Sequence, residues 1–436
     1  MNYYLAIDLG ASNGRHIIGY QHKGEIKVEE VYRFKTGMDD ASDADGLVWN
    51  VNRLFREIVK GIKLAFKKHK DIKSISIDTW GVDYVLMQDD KELLPCYAYR
   101  NKRGIRSAKI VHDIIPFEKL YAHTGIQFAP YNTIYQLYDD LMEGRLDVAT
   151  DYLMLPSYFI YKLTGVKTHE YTDESTGSLL NPFTCQFDGE LLDELKFPRK
   201  LFGIVEQPGF IVGNLLPEIQ EKVGGNTKVM LCATHDTASA FEAVDIPDDG
   251  ILISSGTWSL LGIKSKEPIV NEESLKANYT NEGGVNYIRF LKNIMGMWIN
   301  NELKNEVLFT QEYIDNNIRT VDYKVTFDVN DPSLIAPKSM KEALLNLLVT
   351  CPPQNNLELF ASIYRSMAIS YKNAIEELET VTKKKYKEIY IVGGGAKNRF
   401  LNELIEEYTN KKVVALPIEA TALGNIKIQM KANKEL

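Results

Sequence analysis

Tyr3-Tyr4-Leu5-Ala6-Ile7-Asp8-Leu9-Gly10-Ala11-Ser12-Asn13-Gly14-Arg15 is the stretch on which the fold turns. Residues 3–9 are apolar at nearly every position, the pattern of a strand buried on both faces. The strand runs into a turn of small residues, and His16–Tyr20 and Ile26–Phe34 read as two further strands, so the chain opens as a meander. With two glycines in the turn, backbone N–H groups can approach an anion without a Cβ in the way. Ala11, Ser12, Asn13 and Gly14 would present those groups, and Arg15 adds a fixed positive charge. Asp8 ends the strand where it could hold a hydrated Mg²⁺ beside phosphates. The alternative is a hairpin turn that merely needs glycine. Neither the dinucleotide fingerprint nor the P-loop is matched, so the usual nucleotide folds are not supported.

Working outward, Asn52–His69 has helical spacing, with Leu54, Ile58, Ile62 and Phe66 on one face. Ser74–Ile77 alternates and leads into Asp78-Thr79-Trp80-Gly81-Val82-Asp83. A Trp beside a Gly suits the apolar face of a sugar; it equally suits a core, and Asp78 equally suits a turn. Residues 104–200 are mixed and mostly helical, with a turn at Asn181-Pro182. Lys228–Ala233 reads as a short strand and Thr234–Ala243 as a helix start. Asp236 therefore stands where strand gives way to helix. It is either a helix cap or, with His235 and Thr237 beside it, a carboxylate that orients a hydroxyl and takes its proton.

The turn-rich Ile246–Gly250 marks a boundary between one domain over residues 1–246 and a second over 247–436. Ile251–Ser254 and Trp258–Lys264 then read as strands around the turn Ser254-Ser255-Gly256-Thr257, whose hydroxyls can donate to phosphate. A strand, a glycine turn and a strand thus occur once per half, as in a diverged internal repeat. Ser362–Leu378 has helical character. Glu388–Val392 is a strand, Asn398–Tyr408 a helix, Val413–Leu416 a strand and Glu419–Lys431 a helix. Between the first two of these, Gly393-Gly394-Gly395 either lets a flat ligand lie against the backbone at a helix N-terminus or makes a tight connection.

A chain of 436 residues exceeds one ordinary core and implies two domains. Its apolar and charged fractions, 44% and 25%, are those of a soluble globular protein. The net charge of −8 argues against a nucleic-acid partner. The start has no basic region followed by a long apolar run, and no uncharged stretch reaches about 18 residues, so neither a leader nor a membrane span is expected. Cys96, Cys185, Cys232 and Cys351 form no CxxC pair and read as reduced cytoplasmic thiols.

Six stretches in order carry a resemblance: AIDLGASNGR, IDTWGVD, HDTASA, SSGTWSL, NEGG with RFLKNIMGMW, and VGGGAKN with EATALGN. Through them the chain resembles the FGGY carbohydrate kinases from residue 3 to about residue 430. The resemblance implies an α/β fold of two actin/hexokinase-like (ribonuclease H-like) domains flanking a catalytic cleft. The first domain would bind sugar and the second nucleotide, with a C-terminal tail shortened relative to the family. It implies ATP and Mg²⁺, with the γ-phosphoryl passing to a sugar hydroxyl. Asp236 becomes the catalytic base. Trp80, Gly81, His235, Asp236, Thr237 and Asn293 become sugar contacts. Ala11, Ser12, Asn13, Gly14, Arg15, Thr257, Asn301, Gly393, Gly394 and Gly395 become nucleotide contacts, and Asp8 stands at the metal. The acceptor it implies is the C1 hydroxyl of L-rhamnulose, in L-rhamnose catabolism. Alternatives are L-fuculose or another deoxyketose, and a non-catalytic sugar- and nucleotide-binding regulator. Three positions depart from the pattern: Asn101 replaces an Asp, Asn301 a frequent Gln, and Lys427 a small residue. The expected partners are the sugar and ATP, with no nucleic acid and no membrane, in a monomer or homodimer.

Overall fold

Strand β1 (Tyr3–Leu9) lies inside a six-stranded sheet, and every residue after Tyr3 is buried. The computed structural model to which it belongs describes residues 1–41, 46–335, 337–416 and 419–436. Antiparallel β2 (Asn13–His22) and β3 (Glu25–Lys35) complete the expected meander. Helix α1 (Val51–Lys68) buries Leu54, Ile58, Ile62 and Phe66 on one face, and Asn50 caps it by accepting from the Arg53 N–H. β4 (Ile72–Thr79) returns parallel to β1. The sheet ends with β5 (Ile211–Asn214) and β6 (Lys228–Met230), in the order β5-β6-β4-β1-β2-β3. One core joins α1 to the sheet through Leu54, Ile58, Leu5, Ile7, Ile75 and Ile77. A second gathers Tyr84, Tyr135, Leu137, Tyr152 and Leu191 among the helices of residues 103–201. Helix α2 (Asp236–Glu242) follows β6.

The chain forms two compact units. The first takes in Met1–Val244, Lys264–Phe290 and Ala420–Leu436; the second takes in Asp245–Ile263 and Leu291–Glu419. Residues 264–290 and the last helix, Ala420–Ala432, thus belong to the first unit although they follow the sequence boundary at 246–247.

β7 (Gly250–Ser255) of the second unit pairs antiparallel with β8 (Trp258–Ser265), beside which runs β9 (Ile288–Met295); the end of β8 from Lys264 and the start of β9 up to Phe290 are counted with the first unit. Helix α3 (Asn356–Thr382) precedes β10 (Glu388–Val392), which lies parallel to β7. Helix α4 (Arg399–Thr409) precedes β11 (Lys412–Leu416), parallel to β10. The order β9-β8-β7-β10-β11 repeats β3-β2-β1-β4-β6 of the first unit. Both have an antiparallel hairpin followed by two parallel neighbours. The repeat that two glycine turns suggested is therefore present as topology. Among the described residues no helix is long and apolar enough to cross a membrane.

Candidate active site

Asp236 is placed by the end of β4. The Thr79 N–H donates to the Thr234 carbonyl at 2.8 Å, and Thr79 and His235 form a parallel bridge. Helix α2 starts at Asp236 itself, and the cap position is His235, which makes no side-chain capping bond. The Asp236 carboxylate accepts from Thr237 Oγ1 at 3.0 Å and lies 3.5 Å from His235 Nε2. Its side chain is 31% exposed. The carboxylate thus does not cap the helix as an N-cap residue would.

Two more carboxylates stand at the ends of β1 and β4. Asp8 lies opposite Asp78 across the parallel pair and opposite Arg15 across the antiparallel one. The Arg15 guanidinium donates to Asp8. Asp78 is wholly buried within β4, so it is not the turn residue that sequence allowed. Its Oδ2 accepts from Asn425 on the last helix at 2.6 Å, while its Oδ1 is buried without a hydrogen-bond partner. Burial first, and the Asp8 charge second, push the Asp78 carboxyl well above its usual range; Asn425 opposes them. A buried unpaired carboxylate oxygen beside a second carboxylate fits a divalent cation that keeps several of its waters. Among the described residues no group of three or more His, Cys, Asp or Glu side chains forms a ready metal cage.

The turn after β1 is closed by the Gly10 N–H donating to the Asn13 carbonyl at 2.9 Å, and by Thr36 Oγ1 donating to the Gly10 carbonyl at 2.7 Å. Ser12 and Asn13 are exposed, Ala11 and Arg15 half-buried. Gly14 is buried, and a Cβ there would sit 2.4 Å from the Phe34 ring, so packing alone demands that glycine.

Trp80 is 7% exposed, with its ring centroid 4.1 Å from that of Trp49. Its indole N–H donates to Asp83 at 2.9 Å, and that of Trp49 donates to the same oxygen at 2.6 Å. Trp80 thus packs on Trp49 in the core. Gly81 is pressed onto Thr176, whose Oγ1 would lie 2.8 Å from a Cβ at Gly81. Thr176 Oγ1 accepts from the Val82 N–H at 3.1 Å and donates to the Asp173 carbonyl at 2.7 Å.

Sequence reading missed three acids, Glu170, Asp173 and Glu282, and two partners, Arg289 and Asn425. Glu170 accepts from the N–H of Thr172 at 2.9 Å and of Thr234 at 3.1 Å, tying the segment before Asp236 to residues 170–173. Asp173 is 1% exposed with neither oxygen hydrogen-bonded, and burial foremost pushes its carboxyl well above the usual range. Glu282 and Arg289 lie against His235, and Asn425 holds Asp78. The pairs Glu170–Thr234, Glu282–His235, Arg289–His235 and Asn425–Asp78 join residues tens to hundreds of positions apart in the chain, and no local spacing signals them.

In the second unit Thr257 stands exposed in the turn between β7 and β8. Its carbonyl accepts from the N–H groups of Gly296 and Trp298 at 3.2 and 3.3 Å. A Cβ at Gly296 would meet the Gly256 carbonyl at 2.7 Å, which accounts for a glycine in the run NIMGMW. The triple glycine divides in two. Gly393, at φ +82°, and Gly395 press on Ser255, where Cβ atoms would come within 2.8 and 2.0 Å. Gly394 is exposed with nothing within 4 Å of such an atom. Asn301 is exposed and accepts from Asn300 Nδ2 at 3.3 Å; Asn293 lies half-buried on β9.

Two α/β units with one repeated strand order, each with a small-residue turn in its first hairpin, and a carboxylate at the head of a helix define a phosphotransferase of the actin/hexokinase-like class. The chain belongs to the FGGY family of carbohydrate kinases, whose N-terminal domain matches residues 3–241 and whose C-terminal domain matches residues 251–433. ATP is the phosphoryl donor that this family implies. The chain is 40% identical to the rhamnulokinase of Oceanobacillus iheyensis, over 98% of this chain and 93% of that one. It is 38% identical to the rhamnulokinase of Bacillus subtilis, over 99% and 91%. In fold it is similar to the xylulose kinase from Lactobacillus acidophilus, with a TM-score of 0.82 at 20% identity over 100% of this chain and 90% of that one. The glycerol kinase of Plasmodium falciparum gives 0.80 at 14% identity, over 100% and 90%.

Proposed function

We propose that this protein transfers the γ-phosphoryl group of ATP to the C1 hydroxyl of L-rhamnulose, giving ADP and L-rhamnulose 1-phosphate, in L-rhamnose catabolism. The observation that carries the chemistry is the partly exposed, non-capping carboxylate of Asp236, with the Thr237 hydroxyl on it and the His235 ring beside it. The choice of acceptor rests on relatives of 34–40% identity over nearly the whole chain that are named rhamnulokinase.

In this reading Asp236 accepts the proton of the sugar hydroxyl and aims its oxygen at phosphorus; in a loose transition state the aim matters most. His235 and Thr237 contact the same sugar, and Asn293 is a further contact. Gly81 offers backbone without a side chain. Trp80 acts from behind, its indole and that of Trp49 holding Asp83 under the Gly81 loop. Ala11, Ser12, Asn13 and Gly14 offer backbone N–H groups to phosphate, and Arg15 its charge. Thr257 donates a hydroxyl to phosphate, Asn301 contacts the nucleotide, and Gly394 lies against it while Gly393 and Gly395 shape the turn. Asp8 and the unpaired Asp78 oxygen would hold Mg²⁺, which when bound neutralises phosphate charge. Residues 1–246 then serve mainly the sugar and residues 247–436 mainly the nucleotide. The expected setting is cytoplasmic, as a monomer or homodimer.

ADP release, measured with Mg·ATP and a panel of ketoses, tests this. Fastest turnover is expected with L-rhamnulose. Fastest turnover with L-fuculose would overturn the acceptor alone, and no stimulation by any ketose would overturn the kinase reading.

A further inference from the structure

Arg289 has no exposed surface, and a buried guanidinium needs both an opposite charge and acceptors. Glu282 supplies the charge at 3.2 Å. Burial raises the Glu282 carboxyl, but the opposing effects, the Arg289 charge foremost, leave it below its usual range. Arg289 Nε donates to the Gly283 carbonyl at 2.6 Å. Its Nη2 donates to the Thr172 carbonyl at 3.5 Å and lies 3.1 Å from His235 Nδ1. The guanidinium face also lies 6.0 Å from the Phe241 ring centroid.

A guanidinium donates only and does not lose its proton. His235 Nδ1 must therefore be the acceptor in its contact with Arg289. Glu282 Oε2 also approaches Nδ1, at 3.4 Å, but lies off the hydrogen-bond direction and bonds to no donor. A neutral imidazole that accepts at Nδ1 carries its proton at Nε2. Nε2 is the ring atom that faces Asp236 Oδ1.

We propose that Arg289, with its charge balanced by Glu282, is a positioning residue that fixes His235 as the Nε2–H tautomer. Both ring nitrogens are then committed, and His235 has no lone pair for a proton. The ring donates on the Asp236 side, either to the sugar oxygen or to the carboxylate. In the transfer, which rests on the kinase reading above, the sugar O–H proton goes to Asp236, the sugar oxygen bonds to phosphorus, and ADP leaves with the broken P–O bond. The tautomer itself does not depend on which sugar is bound.

The test is ¹⁵N NMR of the ligand-free, full-length protein labelled at its seven histidines. The His235 signals are assigned by their loss in His235→Gln. Nδ1 should show the shift of an unprotonated, hydrogen-bonded nitrogen and Nε2 that of a protonated one near neutral pH. A proton on Nδ1 would overturn the proposal whatever the enzyme turns over. In Arg289→Met, provided it stays folded, the tautomers should mix and kcat should fall by at least about tenfold with the KM for ATP unchanged. A single Nε2–H tautomer persisting in that variant would show that Arg289 does not set it. Should the variant not fold, the wild-type spectrum still decides.

Discussion

At Asp236 the difference between a helix cap and a base is a matter of what the carboxylate already holds. It holds one hydroxyl, that of Thr237, and keeps part of its surface open. Asp236→Asn keeps size and shape but removes the proton acceptor. We expect turnover to fall by at least about 100-fold, with sugar binding, measured by calorimetry, largely retained. Near-normal turnover would remove Asp236 from the role. The triple glycine gives a second contrast. Gly395→Ala would drive a Cβ to within 2.0 Å of Ser255 Oγ, so a loss of about 1–3 kcal/mol is expected in chemical unfolding. Gly394→Ala meets nothing within 4 Å and should leave stability within about 0.5 kcal/mol. Under the proposed function the second change raises the KM for ATP, which steady-state kinetics reads directly. The sequence showed three glycines as one feature; only the neighbours of each distinguish packing from contact.

Helix α2 carries Asp236, and its seven residues depend on the last helix for support. Gly424 of that helix lies so close that a Cβ would stand 1.7 Å from the Ser239 carbonyl oxygen and 3.2 Å from the Ala243 nitrogen. No flexible side chain can yield there, because the obstacle is backbone. Gly424→Ala should cost about 1–3 kcal/mol and displace α2, so thermal unfolding and kcat should fall together. Unchanged kcat at lowered stability would mean that the support is not transmitted to Asp236. Lys427, unusual against the family pattern, has a local reason. Its Nζ donates to the Ala243 carbonyl at 2.9 Å, at the C-terminal end of α2, where a cation meets the negative end of the helix. The same last helix sends Asn425 to Asp78, and Gln429 to the Leu5 carbonyl at 3.0 Å. Its polar residues are thus buried pins between α2, β1 and β4. A helical period is readable locally, but the partners of its polar face are not.

Over the whole molecule, buried carboxyls in the first unit tie stability to pH. Burial foremost raises Asp83 from 3.8 to about 6, against hydrogen bonds from Trp49, Trp80, Tyr99 and Gln136. The folded state therefore holds this proton more tightly than the unfolded chain does. The stability it contributes is full below about pH 4 and is lost as pH rises through about 6. Asp83→Asn lacks this dependence. Between about pH 5 and about pH 7.5 the wild type should lose about 1 kcal/mol relative to the variant in denaturant unfolding, and an opposite trend would refute the assignment. The sequence by itself determined the β1–β2–β3 meander, the amphipathic α1, both glycine turns and the strand–helix junction at Asp236. Each of these is written in residues a few positions apart, through side-chain period and the steric freedom of glycine. Only the tertiary structure decided the repeated strand order, the return of residues 264–290 and 420–436 to the first unit, and the pairings Asp78–Asn425 and His235–Arg289. Those join residues far apart in the chain. They exist because a buried polar group must find a partner wherever folding places one.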